Sequence, residues 1–286
     1  MIDDPKLWAL VTAITFGAAP VVLKMAFQRG GQAGMGILIS LALAIPMTLA
    51  VALVVSPKLE LLTPFAVVAF ILGGLAGSAA GRRWNYLSID LLGASRSATI
   101  RSTSPVFTAV IVLFVYQEEI TLVRWAAILA IVAGAALVSW APGSGARGWL
   151  TLGVLYAVGA AIAYGLRPIF IKAGLQEVDS PLAATLIGAV AALLYTLVRE
   201  NLASLRATRL DSAFGFFVIG GVLQAIAQLA LALGLSGGDV SLVYSITASA
   251  PLFTILLTAI LLRGVEEITP RLALGTIAVV VGVIYL

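Results

Sequence analysis

The sequence predicts an all-α integral membrane protein of ten transmembrane helices, arranged as two inverted five-helix repeats. Three observations carry this. Hydrophobic residues make up 61% of the 286 and charged residues only 10%, which leaves too little polar surface for a water-soluble domain. The apolar runs reach the roughly 20 residues a helix needs to cross hydrocarbon, beyond the roughly ten of a tilted barrel strand. The chain also repeats itself. Ser104-Pro105-Val106-Phe107-Thr108, then Glu118-Glu119-Ile120-Thr121, return as Ala250-Pro251-Leu252-Phe253-Thr254, then Glu266-Glu267-Ile268-Thr269, displaced by 146 and then 148 positions. Gly17, Pro20 and Lys24 return as Gly165, Pro168 and Lys172, again displaced by 148. Each half holds an odd number of spans, so the second copy sits upside down relative to the first. Two mirrored packings around one site allow that site to open to either side.

The spans follow in order. Leu7 to Phe27, Gly34 to Val55, Pro64 to Leu87, Gly93 to Tyr116 and Leu122 to Trp140 form the first half. Gly148 to Ala173, Ser180 to Val198, Ala213 to Leu235, Val240 to Leu262 and Pro270 to Leu286 form the second. The halves, residues 1–140 and 148–286, make one membrane domain joined by the linker at 141–147, whose Pro, Gly and Ser suit a flexible connection. Thr63-Pro64, Ser180-Pro181 and Thr269-Pro270 each place a hydroxyl at a helix N-cap and proline at the first helical position. Asp3 and Asp4 stand where a secretory signal carries positive charge, and no small-residue cleavage site follows, so the first run reads as a retained span.

Small residues recur at helix-contact spacing. Gly73, Gly77 and Gly81 lie four apart on the third span, and Ala130 and Gly134 have mates in Ala278 and Gly282. Such positions let backbones approach closely where lipid gives no hydrophobic drive for association; the alternative is a lubricated, sliding helix pair.

Composition excludes much chemistry. The absence of cysteine removes disulfides, thiolate metal sites and iron–sulfur clusters, and the absence of histidine removes the commonest metal ligand and general base. No catalytic residue, metal site or cofactor is expected, and the chain does not read as an enzyme. The net charge of +4 comes from basic residues scattered singly at helix ends, a topology pattern and not a nucleic-acid surface. Lys24, Arg29, Arg82, Arg83, Arg96, Arg147, Arg199, Arg206, Arg209, Arg263 and Arg271 fall on the side of the odd-numbered connections. Lys6, Lys58, Arg124 and Lys172 fall with the termini and the even ones. Eleven against four places both termini outside by the positive-inside rule, unless Arg82, Arg83 and Arg96 face a cavity.

Helical register places Arg101 and Arg167 well inside spans, where an unpaired arginine costs at least ~2.5 kcal/mol on insertion scales. Each reads as a binding residue facing a water-filled cavity; the alternative is an anchor whose long stem reaches the interface or backbone carbonyls. Ser97, Arg101, Ser104, Pro105 and Thr108 share one face of the fourth span, and Tyr244, Thr247, Pro251 and Thr254 share one face of the ninth. These faces are expected to look at each other. Tyr164, Arg167 and Pro168 share a face of the sixth. Pro20, Pro105, Pro168 and Pro251 lack the N–H that would bond the carbonyls of Phe16, Arg101, Tyr164 and Thr247, and their recurrence at matching places suggests hinges on both sides of the pseudo-twofold. Gln224 and Gln228, one turn apart, bond either a ligand or a neighbouring helix. Trp84 and Tyr86 read as lids or as part of the interfacial aromatic belt. The acid pairs Glu118-Glu119 and Glu266-Glu267 are expected to cap the following helices together with Thr121 and Thr269. All thirteen carboxylates fall at helix ends, loops or termini, which disfavours proton-coupled export of cations. Deep arginines among hydroxyls and tyrosines suit a substrate bearing a carboxylate or phosphate.

Two five-helix repeats, each with a proline–aromatic–threonine element followed by an acidic turn, resemble the drug/metabolite transporter superfamily of EamA type. The family's turn runs roughly Gly-Glu-Arg/Glu-hydrophobic-Thr. Gly264-Val265-Glu266-Glu267-Ile268-Thr269 is close to it, whereas Tyr116-Gln117-Glu118-Glu119-Ile120-Thr121 lacks the glycine. The resemblance covers essentially the whole chain and suggests a YddG-like amino-acid exporter. It implies a multi-pass protein of the bacterial inner membrane, a monomer or weak homodimer, whose partners are the lipid bilayer and a small-molecule substrate such as an amino acid. It also implies cytoplasmic termini, against the charge count. The expected activity is export of a small zwitterionic or anionic metabolite by alternating access. A phosphorylated-metabolite exchanger, a lipid-scrambling or structural bundle, and a lipid-acting membrane enzyme are the alternatives.

Overall fold

The computed structural model describes residues 4–55, 62–116, 121–139, 151–178, 180–200, 210–237, 243 and 246–285, and the regular structure among them is helical. The first half holds α1 (Pro5–Gln28), α2 (Ala33–Val55), α3 (Pro64–Gly74), α4 (Arg82–Leu92), α5 (Ala94–Arg101), α6 (Ser104–Tyr116) and α7 (Leu122–Ser139). The second holds α8 (Leu152–Leu175), α9 (Pro181–Arg199), α10 (Leu210–Gly237), α11 (Ala250–Leu261) and α12 (Pro270–Tyr285). Among the described residues six segments are individually long and apolar enough to cross a membrane: Pro5–Gln28, Ala33–Val51, Pro64–Leu92, Leu152–Leu175, Leu182–Arg199 and Ser212–Leu231.

The fourth span is broken. α5 ends at Arg101, a turn occupies Ser102 and Thr103, and α6 restarts at Ser104 with Pro105 in its first turn. The ninth shows the same break: Ala248 and Ser249 form a turn, and α11 begins at Ala250 with Pro251 in its first turn. A proline cannot donate to the preceding turn, so the helix restarts at the place where its own fixed φ is already suitable. The third span continues from α3 into α4 through a π-helical turn, Leu75–Gly81, and ends at Gly93, whose φ of +94° suits only glycine.

Helix starts follow the hydroxyl rule in part. Thr63 accepts from the Ala66 amide at 3.2 Å, Thr269 from Leu272 at 3.2 Å and Thr121 from Arg124 at 3.4 Å. Ser180 does not cap α9 with its side chain; its φ of −132° and ψ of 82° depart from cap geometry, and its amide instead donates to the carbonyl of Val178 at 2.8 Å.

Packing joins the halves helix by helix. α1 lies along α10, as its repeat mate α8 lies along α3 and α4; α1 packs on α11, as α8 packs on α6. α2 meets α10 while α9 meets α3, and the mates α7 and α12 pack on each other. This reciprocal pattern is what an inverted repeat of two five-helix halves produces. Glycines make the closest contacts. A Cβ added at Gly134 would lie 2.6 Å from the carbonyl oxygen of Gly275, and one at Gly275 would lie 2.7 Å from that of Gly134. The small-residue spacing in α7 and α12 therefore marks one close helix crossing.

Candidate functional site

The site is built around Arg101, the last residue of α5. Its guanidinium carbon lies 5.7 Å from the ring centroid of Tyr164 on α8, within cation–π range. Its Nε is buried without a hydrogen-bond partner, and among the described residues no carboxylate pairs with it. Arg101, Tyr164 and Ser104 are each half-buried, so the group combines a desolvated cation with residual access. An arginine in this setting is able to take a carboxylate or phosphate oxygen with little competition from the protein's own acids.

Around this pair the neighbours are fixed from both halves. Tyr164 approaches the third span at Gly81, where an added Cβ would sit 3.3 Å from its Cε1. Arg167, one turn along α8 and half-buried, lays its stem on Gly77; a Cβ there would meet the arginine Cδ at 2.3 Å. The π-helical turn thus presents Gly81 to Tyr164 and Gly77 to Arg167 of α8.

The remaining expectations divide. Thr247 is half-buried and its hydroxyl donates to the carbonyl of Val243 at 2.8 Å. Gln224 and Gln228 are half-buried on α10, which packs on α1 and α2. Trp84 is exposed, its indole against Gly159 of α8. Tyr244, Glu118, Glu119 and the linker at 141–147 lie outside the described residues. Pro20 is buried and Pro168 exposed, both within uninterrupted helices.

Three expectations are corrected. Ser97 does not face open water: it is fully buried, and its hydroxyl shares a hydrogen bond with that of Ser88, tying α5 to α4. Tyr86 is neither lid nor belt, because its face of α4 turns inward; the fully buried ring meets Phe27 edge-on at 6.1 Å, and Phe27 in turn meets Phe217 at 5.6 Å. The Thr108 and Thr254 faces of α6 and α11 do not look at each other. Thr108 donates to the carbonyl of Gly165 at 2.8 Å, and Thr254 to that of Gly17 at 2.9 Å, so each helix is bolted to the first helix of the other half.

Two groups escaped the sequence reading. Glu266 was expected to help cap α12, yet its carboxylate accepts from the amides of Ala94 at 2.5 Å and Ser95 at 3.2 Å, capping α5 from the opposite half. The helix that ends in Arg101 is thereby held at its start by the second repeat. Arg82 was counted with a connection between spans. It is instead 4% exposed, with its guanidinium donating to the Ser40 hydroxyl on α2 at 2.7 Å.

The geometry defines a class, a multi-pass helical bundle whose interface between inverted halves carries a half-buried cation. The sequence profile of the EamA-like transporter family matches residues 6–140 and 151–286, one match for each repeat. The chain belongs to the EamA-like transporter family, a family of membrane transporters and not of enzymes. No curated protein matches it significantly in sequence. A solved structure described as "Crystal structure of protein" shares the fold with a TM-score of 0.62 at 19% identity, covering 97% of this chain and 94% of that one.

Proposed function

We propose that this transporter exports small zwitterionic or anionic metabolites, amino acids foremost, across a bacterial inner membrane by alternating access between its two halves. The observation that carries the reading is Arg101: a cation deep in the bundle, stacked near Tyr164, with no carboxylate partner among the described residues. A substrate carboxylate would complete its charge, and the tyrosine ring offers the ammonium of a zwitterion a cation–π surface. Breaks at Pro105 and Pro251, one in each half, supply places for the broken helices to bend.

Proteoliposomes loaded with protein and offered labelled amino acids, their carboxamides, and phosphorylated metabolites test this. Saturable uptake of amino acids with little uptake of carboxamides supports it. Transport confined to phosphorylated compounds favours the exchanger, and bilayer lipid movement without solute transport favours a scrambling bundle.

A further inference from the structure

A second cation, Arg82 on α4, is more deeply buried than Arg101. Arg82, Asn85 and Tyr86 occupy positions i, i+3 and i+4, so their side chains share one face directly after the π-helical turn. All three are more than nine-tenths buried, at 4%, 3% and 0% exposure. Arg82 donates to Ser40, but its Nε has no partner; neither do the Asn85 side-chain oxygen and the Tyr86 hydroxyl. That hydroxyl is within electrostatic reach of Arg82, Ser40 and Tyr164, the last being the ring beside Arg101. Among the described residues no carboxylate pairs with Arg82, although its neighbour Arg83 pairs with Glu200.

A buried guanidinium without a counter-charge is costly, and three orphaned polar groups on one face multiply that cost. The chemistry of the group is mostly that of donors: the Arg82 Nε–H, the Tyr86 O–H and, with the amide turned about, the Asn85 NH2. We propose that this nest binds a small monovalent anion, either a free halide or the carboxylate of a substrate, held by Arg82 and not by Arg101. The halide arm does not depend on the substrate reading above, whereas the carboxylate arm rests on it.

The test uses purified protein in detergent, with chloride replaced by sulfate at constant ionic strength and the apparent melting temperature followed. Chloride or alanine is then titrated back. A saturable rise that survives in Arg101→Gln and disappears when Arg82→Gln is added to that background is the expected result; in the Arg101→Gln background a response to chloride marks a halide site and a response to alanine alone marks a carboxylate site. Tyr86→Phe, which keeps the ring, should raise the half-saturating concentration about tenfold through loss of one bond to a charged ligand, and it decides the matter should Arg82→Gln fail to fold. Wild-type protein indifferent to both anions means a nest filled by water alone and overturns the proposal. So does a response of the Arg101→Gln protein that adding Arg82→Gln leaves intact, or a half-saturation in that background that Tyr86→Phe leaves unchanged.

Discussion

The hydroxyl of Thr254 donates to the backbone carbonyl of Gly17 at 2.9 Å, and the chain makes the same bond a second time from Thr108 to Gly165 at 2.8 Å. Each bond joins the restarted helix of one half to the first helix of the other. Glycine is required at both acceptors by close approach: a Cβ at Gly17 would lie 2.6 Å from that of Phe253, and one at Gly165 would lie 2.9 Å from that of Phe107. The repeated proline–aromatic–threonine element is therefore a docking element, with its phenylalanine and threonine both pressed on a glycine.

Gly17→Ala and Gly165→Ala should each destabilise the bundle by about 1–3 kcal/mol through overpacking. Thr254→Val removes only the bond and should cost about 0.6–1 kcal/mol. Thermal unfolding followed by size-exclusion profile checks the order, and Thr254→Val falling further than Gly17→Ala would show that the bond and not the close approach dominates.

Glu266 should prove more important than its place in a turn suggests. Glu266→Ala removes the cap of α5 and is expected to cost about 1–2 kcal/mol, with Glu266→Gln intermediate because an amide oxygen still accepts the two N–H groups. Since α5 ends in Arg101, the Ala variant should also weaken substrate binding in proportion. Gly93→Ala should resemble it: φ is +94°, and the added Cβ would lie 2.5 Å from the Glu266 carboxyl carbon. Melting curves and substrate titration on the same preparations measure both effects.

The crossing of α7 and α12 tolerates no bulk. Gly275→Leu places its first side-chain carbon 2.6 Å from Val138 Cγ2 and 2.7 Å from the Gly134 carbonyl oxygen, so loss of monodisperse protein is expected. Leu274→Ala, an adjacent exposed position, is the control and should leave the profile unchanged.

The ion pair of Arg83 and Glu200 ties α4 to the end of α9, with side chains 28% and 15% exposed. A double-mutant cycle should return a coupling below about 1 kcal/mol that shrinks as salt is raised, as partly solvated pairs do.

Much of the fold was legible because its causes are local or repeated. Membrane-length apolar runs gave the spans, the odd count per half gave the inversion, and Pro105 and Pro251 marked where two spans break. Less of the site was legible, because its determinants are contacts between halves. Glu266 sits beside Thr269 in sequence and caps α5 only in space. Ser97 shares a helical face with Arg101, but α4 covers that face one turn away. Arg82 looked like a charge near a span end because nothing in its neighbours announces that Ser40 will bury it. The pairing of Thr with Gly was open to reading, since Gly17 and Gly165 recur in the two halves as Thr108 and Thr254 do.

The most direct test of Arg101 as the carboxylate-binding residue is a comparison of amino-acid and carboxamide uptake by wild type, Arg101→Gln and Arg101→Lys in proteoliposomes. The wild type should prefer the amino acid by about ten- to a hundredfold, the worth of one charge-assisted bond of ~1.5–3 kcal/mol. Arg101→Gln should lose that preference, and Arg101→Lys should regain only part of it because a point charge lacks the planar fork. A well-folded Arg101→Gln protein that keeps the full wild-type preference would contradict the assignment.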